Sequence, residues 1–312
     1  MSLTVYLKKV MNMRDIKITI MTPTYNRSSF LPKLYESLKR QTVDLTMMEW
    51  IIVDDGSTDD TEETVNELKE KSPFEIKYIK SLNGGKHHAV NIGIENAIGE
   101  FFFIVDSDDT LPKNSIERII FWFNTLKRDQ EKFAGIGGLK SYDFSGEVGE
   151  SFEGKYLDCS SIERREKNIK GDKAEVFYTN VIKKYRFPEF SGEKFLSECI
   201  LWNEIARDGY KIRWFNEIIY QCEYLDSGLT RNIYHHLAKS PKGFLLYTIE
   251  LMRYEADSEL RRMYYAGAYH VLVENIKLRV LSNKLKISIL KIIVGSYIFR
   301  IVQKRKARRV HE

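Results

Sequence analysis

Four short apolar runs, each followed by polar or acidic residues and separated by stretches of helical spacing, constrain this chain most. Ile18 to Met21, Trp50 to Asp54, Glu75 to Ile79 and Glu100 to Val105 are compact runs suited to strands buried on both faces of a sheet. Ser28 to Gln41, Thr58 to Lys71 and His88 to Ala97 carry amphipathic spacing between them, and Pro112 stands where a first helical turn tolerates it, opening a helix to about Leu126. This alternation predicts an α/β domain with a Rossmann-like, mostly parallel sheet flanked by helices. The 312 residues allow that domain and an appendage, and 43% hydrophobic with 12% aromatic content excludes a disordered chain.

The first strand runs into Thr22-Pro-Thr-Tyr-Asn26, with no glycine fingerprint after it, so dinucleotide binding is not expected. Walker, HExxH and GxSxG sequences are absent, which removes the common ATPase, zinc-protease and serine-hydrolase readings. Cys159, Cys199 and Cys222 are odd in number and lack CxxC spacing, so neither a disulfide framework nor a structural zinc site is expected, and a reducing cytoplasm fits. Residues 133–190 read as irregular, with a glycine-rich Gly135 to Gly138 and short strand-like pieces. Glu193 to Asp208 reads as a helix closed by Gly209, Ile212 to Cys222 as a strand, and the chain after Asp226 as helical. The expected division is an N-terminal extension over 1–16, a catalytic domain over 17–230 and a helical region with a basic tail over 231–312.

Ligands of an open parallel sheet bind beyond the carboxyl ends of its strands, and acids gather there: Asp54 and Asp55 after the second strand, Asp106, Asp108 and Asp109 after the fourth. Such an edge repels itself unless a cation or a donor-rich ligand occupies it, and hard oxygen donors suit Mg²⁺ or Mn²⁺ bridging to a diphosphate. Each loop alone also reads as an ordinary cap or turn. The ordered set Thr22-Pro-Thr-Tyr-Asn, Val53-Asp-Asp-Gly-Ser-Thr-Asp, Asn83-Gly-Gly-Lys and Val105-Asp-Ser-Asp-Asp resembles the family 2 glycosyltransferases over residues 17 to about 225. The resemblance implies a GT-A fold, a nucleotide-diphosphate-sugar donor such as a UDP-sugar, a divalent metal and inversion at the anomeric carbon.

By that resemblance Pro23 and Tyr25 form the wall on which the base stacks. Asp55, with Asp54 as substitute, accepts from the base imino group, and Asn83 and Lys86 lie over the nucleotide. Asp106 binds ribose, and Asp108 holds the metal, with Asp109 as second-choice metal ligand or sugar contact. His87 and His88 are not required as ligands, and Val90 stands where the family often has Arg before Asn91. Inversion needs a carboxylate on the acceptor side to take the hydroxyl proton. The family's acid pair, followed by an apolar-Trp step, aligns through Leu201-Trp202 with Ser197 and Glu198, making Glu198 the base and Glu193 its substitute.

The synthase signature Gln-x-x-Arg-Trp is met only in part, by Tyr210-Lys-Ile-Arg213-Trp214, so single-sugar addition is expected; the resemblance implies a glycan or lipid-linked saccharide acceptor in bacterial surface polysaccharide synthesis. A module that binds nucleotide sugar without catalysis is the alternative. Residues 275–312 carry eleven Lys and Arg against one acid, leaving the rest of the +5 chain at −5. The apolar run Ile287 to Val302 within them is too short and too charged to span a bilayer. It reads either as an interfacial helix on an anionic membrane or as a helix packed on the protein. Aromatic residues are not interleaved with the basic cluster, which argues against nucleic acid.

Overall fold

The computed structural model describes residues 16–127, 132–142, 146–148, 150–223 and 233–309; nearly all of the expected N-terminal extension lies outside them. The first half follows the sequence pattern. Strands β1 (Ile18–Thr24), β2 (Met48–Asp54), β3 (Glu75–Lys80) and β4 (Phe101–Ile104) alternate with helices α1 (Leu31–Lys39), α2 (Thr61–Glu70), α3 (Lys86–Asn96) and α4 (Ser115–Leu126). The strands pair in parallel in the order β3-β2-β1-β4. Every residue of β1 and β2 is buried, as layers of helix on both faces require. Aromatic packing fixes α4 to the sheet: Phe101 stacks on Phe123 with centroids 3.8 Å apart, and Trp122 stacks on Phe215 at 4.7 Å.

The second half departs from its expected irregularity. Strands β5 (Phe133–Tyr142), β6 (Gly146–Val148), β7 (Tyr156–Cys159), β8 (Lys173–Tyr178) and β9 (Lys211–Cys222) extend the sheet to nine, in the order β3-β2-β1-β4-β8-β5-β9-β7 with β6 on β5. β8 runs antiparallel to β4 and β5, and β9 runs parallel to β5. The Gly135–Gly138 run weakens the strand signal of β5 in sequence. In the fold the same glycines make room for neighbours: a Cβ on Gly137 would meet the Trp214 ring at 2.5 Å, and one on Gly138 would meet Ile219 at 2.7 Å.

The chain forms two compact units, Met1–Phe187 with Glu204–Leu225, and Pro188–Asn203 with Asp226–Glu312. The first holds the sheet, with the short α5 (Thr179–Ile182) after β8. The second takes in the start of α6 (Cys199–Arg207), then α7 (Ile233–Lys239), α8 (Pro241–Glu250) running into a π-helical turn at Leu251–Glu255, α9 (Glu259–Leu272), α10 (Leu278–Leu285) and α11 (Ile289–Arg309). Residues 188–203 thus pack with the C-terminal helices. Phe244, Met252, Tyr269, Leu281 and Ile292 are among the buried residues of that unit's core. Among the described residues no helix is long and apolar enough to cross a membrane.

Candidate functional site

The strand order makes a switch point. From β1 the chain builds outward to β2 and β3, then returns to the other side of β1 as β4, so the loops after β1 and β4 diverge and leave a crevice at their carboxyl ends. Backbone bonds hold the rim in register: the Asp55 N–H donates to the Thr24 carbonyl at 2.8 Å and the Val105 N–H to the Met21 carbonyl at 2.9 Å. Pro23 is buried in β1, whereas Tyr25, just past the strand, is 48% exposed. Asn26 adopts φ 52°, the left-handed conformation that Asn tolerates better than most residues. Its side-chain oxygen accepts from the Thr58 N–H at 2.8 Å, and its own N–H donates to Ser57 Oγ at 2.9 Å, tying the β1 loop to the β2 loop.

Asp54 and Asp55 hold this rim together. Asp54 is fully buried; it accepts from the Ser57 N–H at 2.7 Å and from the Tyr78 hydroxyl. Burial, together with that bond and the Asp54 charge, raises the Tyr78 phenol above its ordinary range. Asp55 is 5% exposed and accepts from the N–H groups of Gly84 and Gly85 at 2.7 and 2.8 Å. The Asn83-Gly-Gly-Lys segment is thereby stapled to the end of β2. Asn83 itself lies against Gly56, where a Cβ would meet its backbone nitrogen at 3.1 Å.

The β4 loop is bonded differently. Asp106 is paired with the Lys86 ammonium, 2.6 Å from Oδ1 and 2.9 Å from Oδ2. Burial would raise its carboxyl, but the charge and hydrogen bond of Lys86, aided by Lys140 and Arg27, hold it below the usual range. Asp108 lies 3.4 Å from the Arg27 guanidinium, and burial followed by the charge of Asp106 pushes its carboxyl up. Asp109 is 8% exposed; it accepts from the Tyr220 hydroxyl at 2.6 Å and the Glu223 N–H at 2.7 Å. Burial and then the Asp106 charge push that carboxyl up to about 7. Tyr220 in turn accepts from the Asp106 N–H at 3.0 Å, so a buried phenol on β9 orients the whole loop.

Pairs as exposed as Lys86–Asp106 and Arg27–Asp108, with side chains 21–34% accessible, contribute up to about 1 kcal/mol each. A ligand bringing its own charges can therefore replace them. Among the described residues no group of three or more His, Cys, Asp or Glu side chains is arranged to hold a metal ion. Asp106 and Asp108 supply hard oxygen atoms only, which fits a cation that keeps water and takes further oxygens from a diphosphate. Asp109 accepts a hydrogen bond on each oxygen, from the Tyr220 hydroxyl and the Glu223 N–H, and serves the loop. His87 is buried at the start of α3, and the His88 ring crowds Gly84, where a Cβ would come within 2.6 Å of it. Asn91 exchanges bonds with the Phe187 backbone, at 3.0 Å to its carbonyl and 2.9 Å from its N–H.

The acceptor-side acids belong to the second unit. Glu193 accepts from the N–H groups of Lys242 and Gly243 at 2.9 and 2.8 Å, the orphan donors of the first turn of α8. The helix expected from Glu193 therefore starts only at Cys199. Glu198 is half-buried immediately before it, its carbonyl accepting from the N–H groups of Leu201 and Trp202 at 3.0 and 3.2 Å. Arg213 of the partial synthase signature is committed to the sheet edge, with a two-point pair to Asp158 at 2.8 and 2.6 Å. Sequence reasoning missed Arg27 and Tyr220. Arg27 directly follows the Thr22–Asn26 motif, a signal that was there to use; Tyr220 reads only as one more apolar position of β9.

Residues 19–136 match the family described as Glycosyl transferase family 2. The chain is 28% identical over 198 residues to a GalNAc(5)-diNAcBac-PP-undecaprenol beta-1,3-glucosyltransferase of Campylobacter jejuni, covering 62% of this chain and 60% of that one. It spans between 18% and 64% of the length of eight curated relatives that it matches. Its fold is similar to that of S. aureus TarS 1–349 in complex with UDP-GlcNAc, with a TM-score of 0.59 at 18% identity over 86% of this chain and 78% of that one. It is also similar to the mannosyltransferase PcManGT from Pyrobaculum calidifontis in complex with GDP-Man and Mn2+, with a TM-score of 0.55 at 15% identity over 91% and 80%. The fold is therefore that of the GT-A glycosyltransferases, and residues 19–136, which carry the four motifs on successive strand ends, are the part of the chain that matches family 2.

Proposed function

We propose that this protein transfers a single sugar from a nucleotide-diphosphate sugar, a UDP-sugar, to a hydroxyl of a glycan or lipid-linked saccharide, with inversion. The observation that carries the reading is the β4 loop, where Asp106 and Asp108 are held by the displaceable cations Lys86 and Arg27 at the switch point of the sheet. Tyr25, exposed beside buried Pro23, offers an aromatic face for the base. Asp55 and Asn83 shape the base pocket, with Asp54 fixing the turn beneath. Asp106 takes the ribose, and Lys86 and Arg27 turn from the carboxylates toward the diphosphate. Asp108 holds Mn²⁺ or Mg²⁺, which when bound carries charge developing on the leaving diphosphate.

Glu198 takes the acceptor proton as general base; Glu193 is the weaker candidate because backbone donors of α8 already occupy both its oxygens. The C. jejuni relative's undecaprenol-linked name supports a lipid-linked acceptor, and with it a site of action on the cytoplasmic face of the cell membrane. Ser197, where the family pattern has the first acid, motivates the second reading, a module that binds nucleotide sugar without transferring it. Mn²⁺-dependent hydrolysis of UDP-sugars separates the two. Turnover abolished by Asp108→Ala supports the enzyme, and saturable UDP-sugar binding with no turnover of any donor supports the module.

A further inference from the structure

Helix α11 is two-faced in an unusual sense, because both faces are apolar. One is core: Ile292, Ser296 and Phe299 are at most 5% exposed, and the helix crosses α9 so closely that a Cβ on Gly295 would collide with the Met263 backbone and one on Gly267 with the Gly295 backbone. Ser296 also bonds His270 of α9 at 2.9 Å. The opposite face carries Leu290 at 71%, Ile293 at 47%, Val294 at 39% and Tyr297 at 68% exposure. Their i, i+3, i+4, i+7 spacing puts them on one stripe. A contiguous apolar stripe of this kind on an exposed surface marks a contact site, whereas scattered exposed residues would not.

We infer that this stripe is a docking face for an anionic lipid bilayer. Charge selects the occupant. Arg300, Lys304 and Arg305 are exposed just beyond the stripe, and residues 275–311 contain eleven basic side chains and no acid. A second copy docking through the same stripe would bring two such basic segments together, which like charges oppose. An anionic leaflet complements the charge and accepts the apolar side chains, and Tyr297 suits the interface between lipid and water. The long core face explains why the segment lies along the surface as an interfacial helix, already folded before it meets lipid. Removing the helix would strip the buried Ile292 and Phe299 from its unit.

The inference stands apart from the transfer reaction, and its test uses the full chain. Sedimentation with vesicles of phosphatidylcholine, with and without phosphatidylglycerol, is compared for wild type, for Arg300→Gln/Lys304→Gln/Arg305→Gln and for Leu290→Ser/Ile293→Ser/Tyr297→Ser. Wild type is expected to bind only the anionic vesicles and to be released by raised salt. The charge variant should partition on the order of a hundredfold less, and the serine variant on the order of tenfold less or weaker, both with unchanged UDP affinity and unchanged melting. Equal sedimentation of all three proteins, or of wild type with neutral and anionic vesicles, would overturn the inference. So would a wild-type dimer that the serine variant dissociates and that ignores vesicles.

Discussion

The two acidic loops look alike in sequence and differ in what holds them. At the end of β2, the carboxylates of Asp54 and Asp55 accept from the N–H groups of Ser57, Gly84 and Gly85, partners that cannot leave without unfolding the rim. At the end of β4, Asp106 and Asp108 face the flexible side chains of Lys86 and Arg27. A carboxylate bonded to backbone is structural, and one bonded to a long cation can be handed to a ligand. Glu193, whose carboxylate caps α8 through two backbone N–H groups, is structural in the same sense.

Substitution can break this comparison, and the largest effect is expected at Glu198. Glu198→Gln should leave UDP affinity near normal and lower transfer by about a hundredfold to ten-thousandfold, the range of a general base; if Glu193→Gln does so instead, the base lies there. Next comes Asp54→Ala, which leaves the half-buried Tyr78 hydroxyl and the buried Ser57 N–H without that acceptor and should cost roughly 2–3 kcal/mol in urea unfolding. Glu193→Gln should cost about 2 kcal/mol through the same loss of charge-assisted bonds, with transfer by the folded fraction retained. Lys86→Gln is the mildest in stability, within about 1 kcal/mol, while raising the KM for the UDP-sugar. A Lys86 variant that unfolds the domain would erase the distinction between the two loops.

What could be read in the sequence follows from how local each signal is. β1 to β4 and their helices declare themselves by periodicity, and Tyr25, Asp55, Lys86 and Asp106 stand in short motifs at strand ends. β5 hid behind Gly135–Gly138, because its stability comes from Trp214 and Ile219, about eighty residues away in the chain, and strand propensity does not register such partners. Tyr220 was invisible as a site residue for the same reason: its bonds to Asp106 and Asp109 join positions more than a hundred residues apart. The start of α6 was misjudged because Glu193, a good helix-start residue, is spent on capping a different helix. Composition located the basic tail, but only the packing of Gly267 on Gly295 distinguishes its core face from its exposed one.

The central claim, that Asp106 and Asp108 form a donor site completed by a divalent cation, is tested most directly by calorimetric titration of UDP into wild type and Asp108→Asn, with Mn²⁺ and with EDTA. The account predicts saturable binding to wild type with Mn²⁺, a loss of roughly tenfold or more with EDTA, and a similar loss for Asp108→Asn that Mn²⁺ does not restore. Equal UDP affinity in Mn²⁺ and EDTA, or an Asp108→Asn variant that binds and turns over as wild type does, would contradict it.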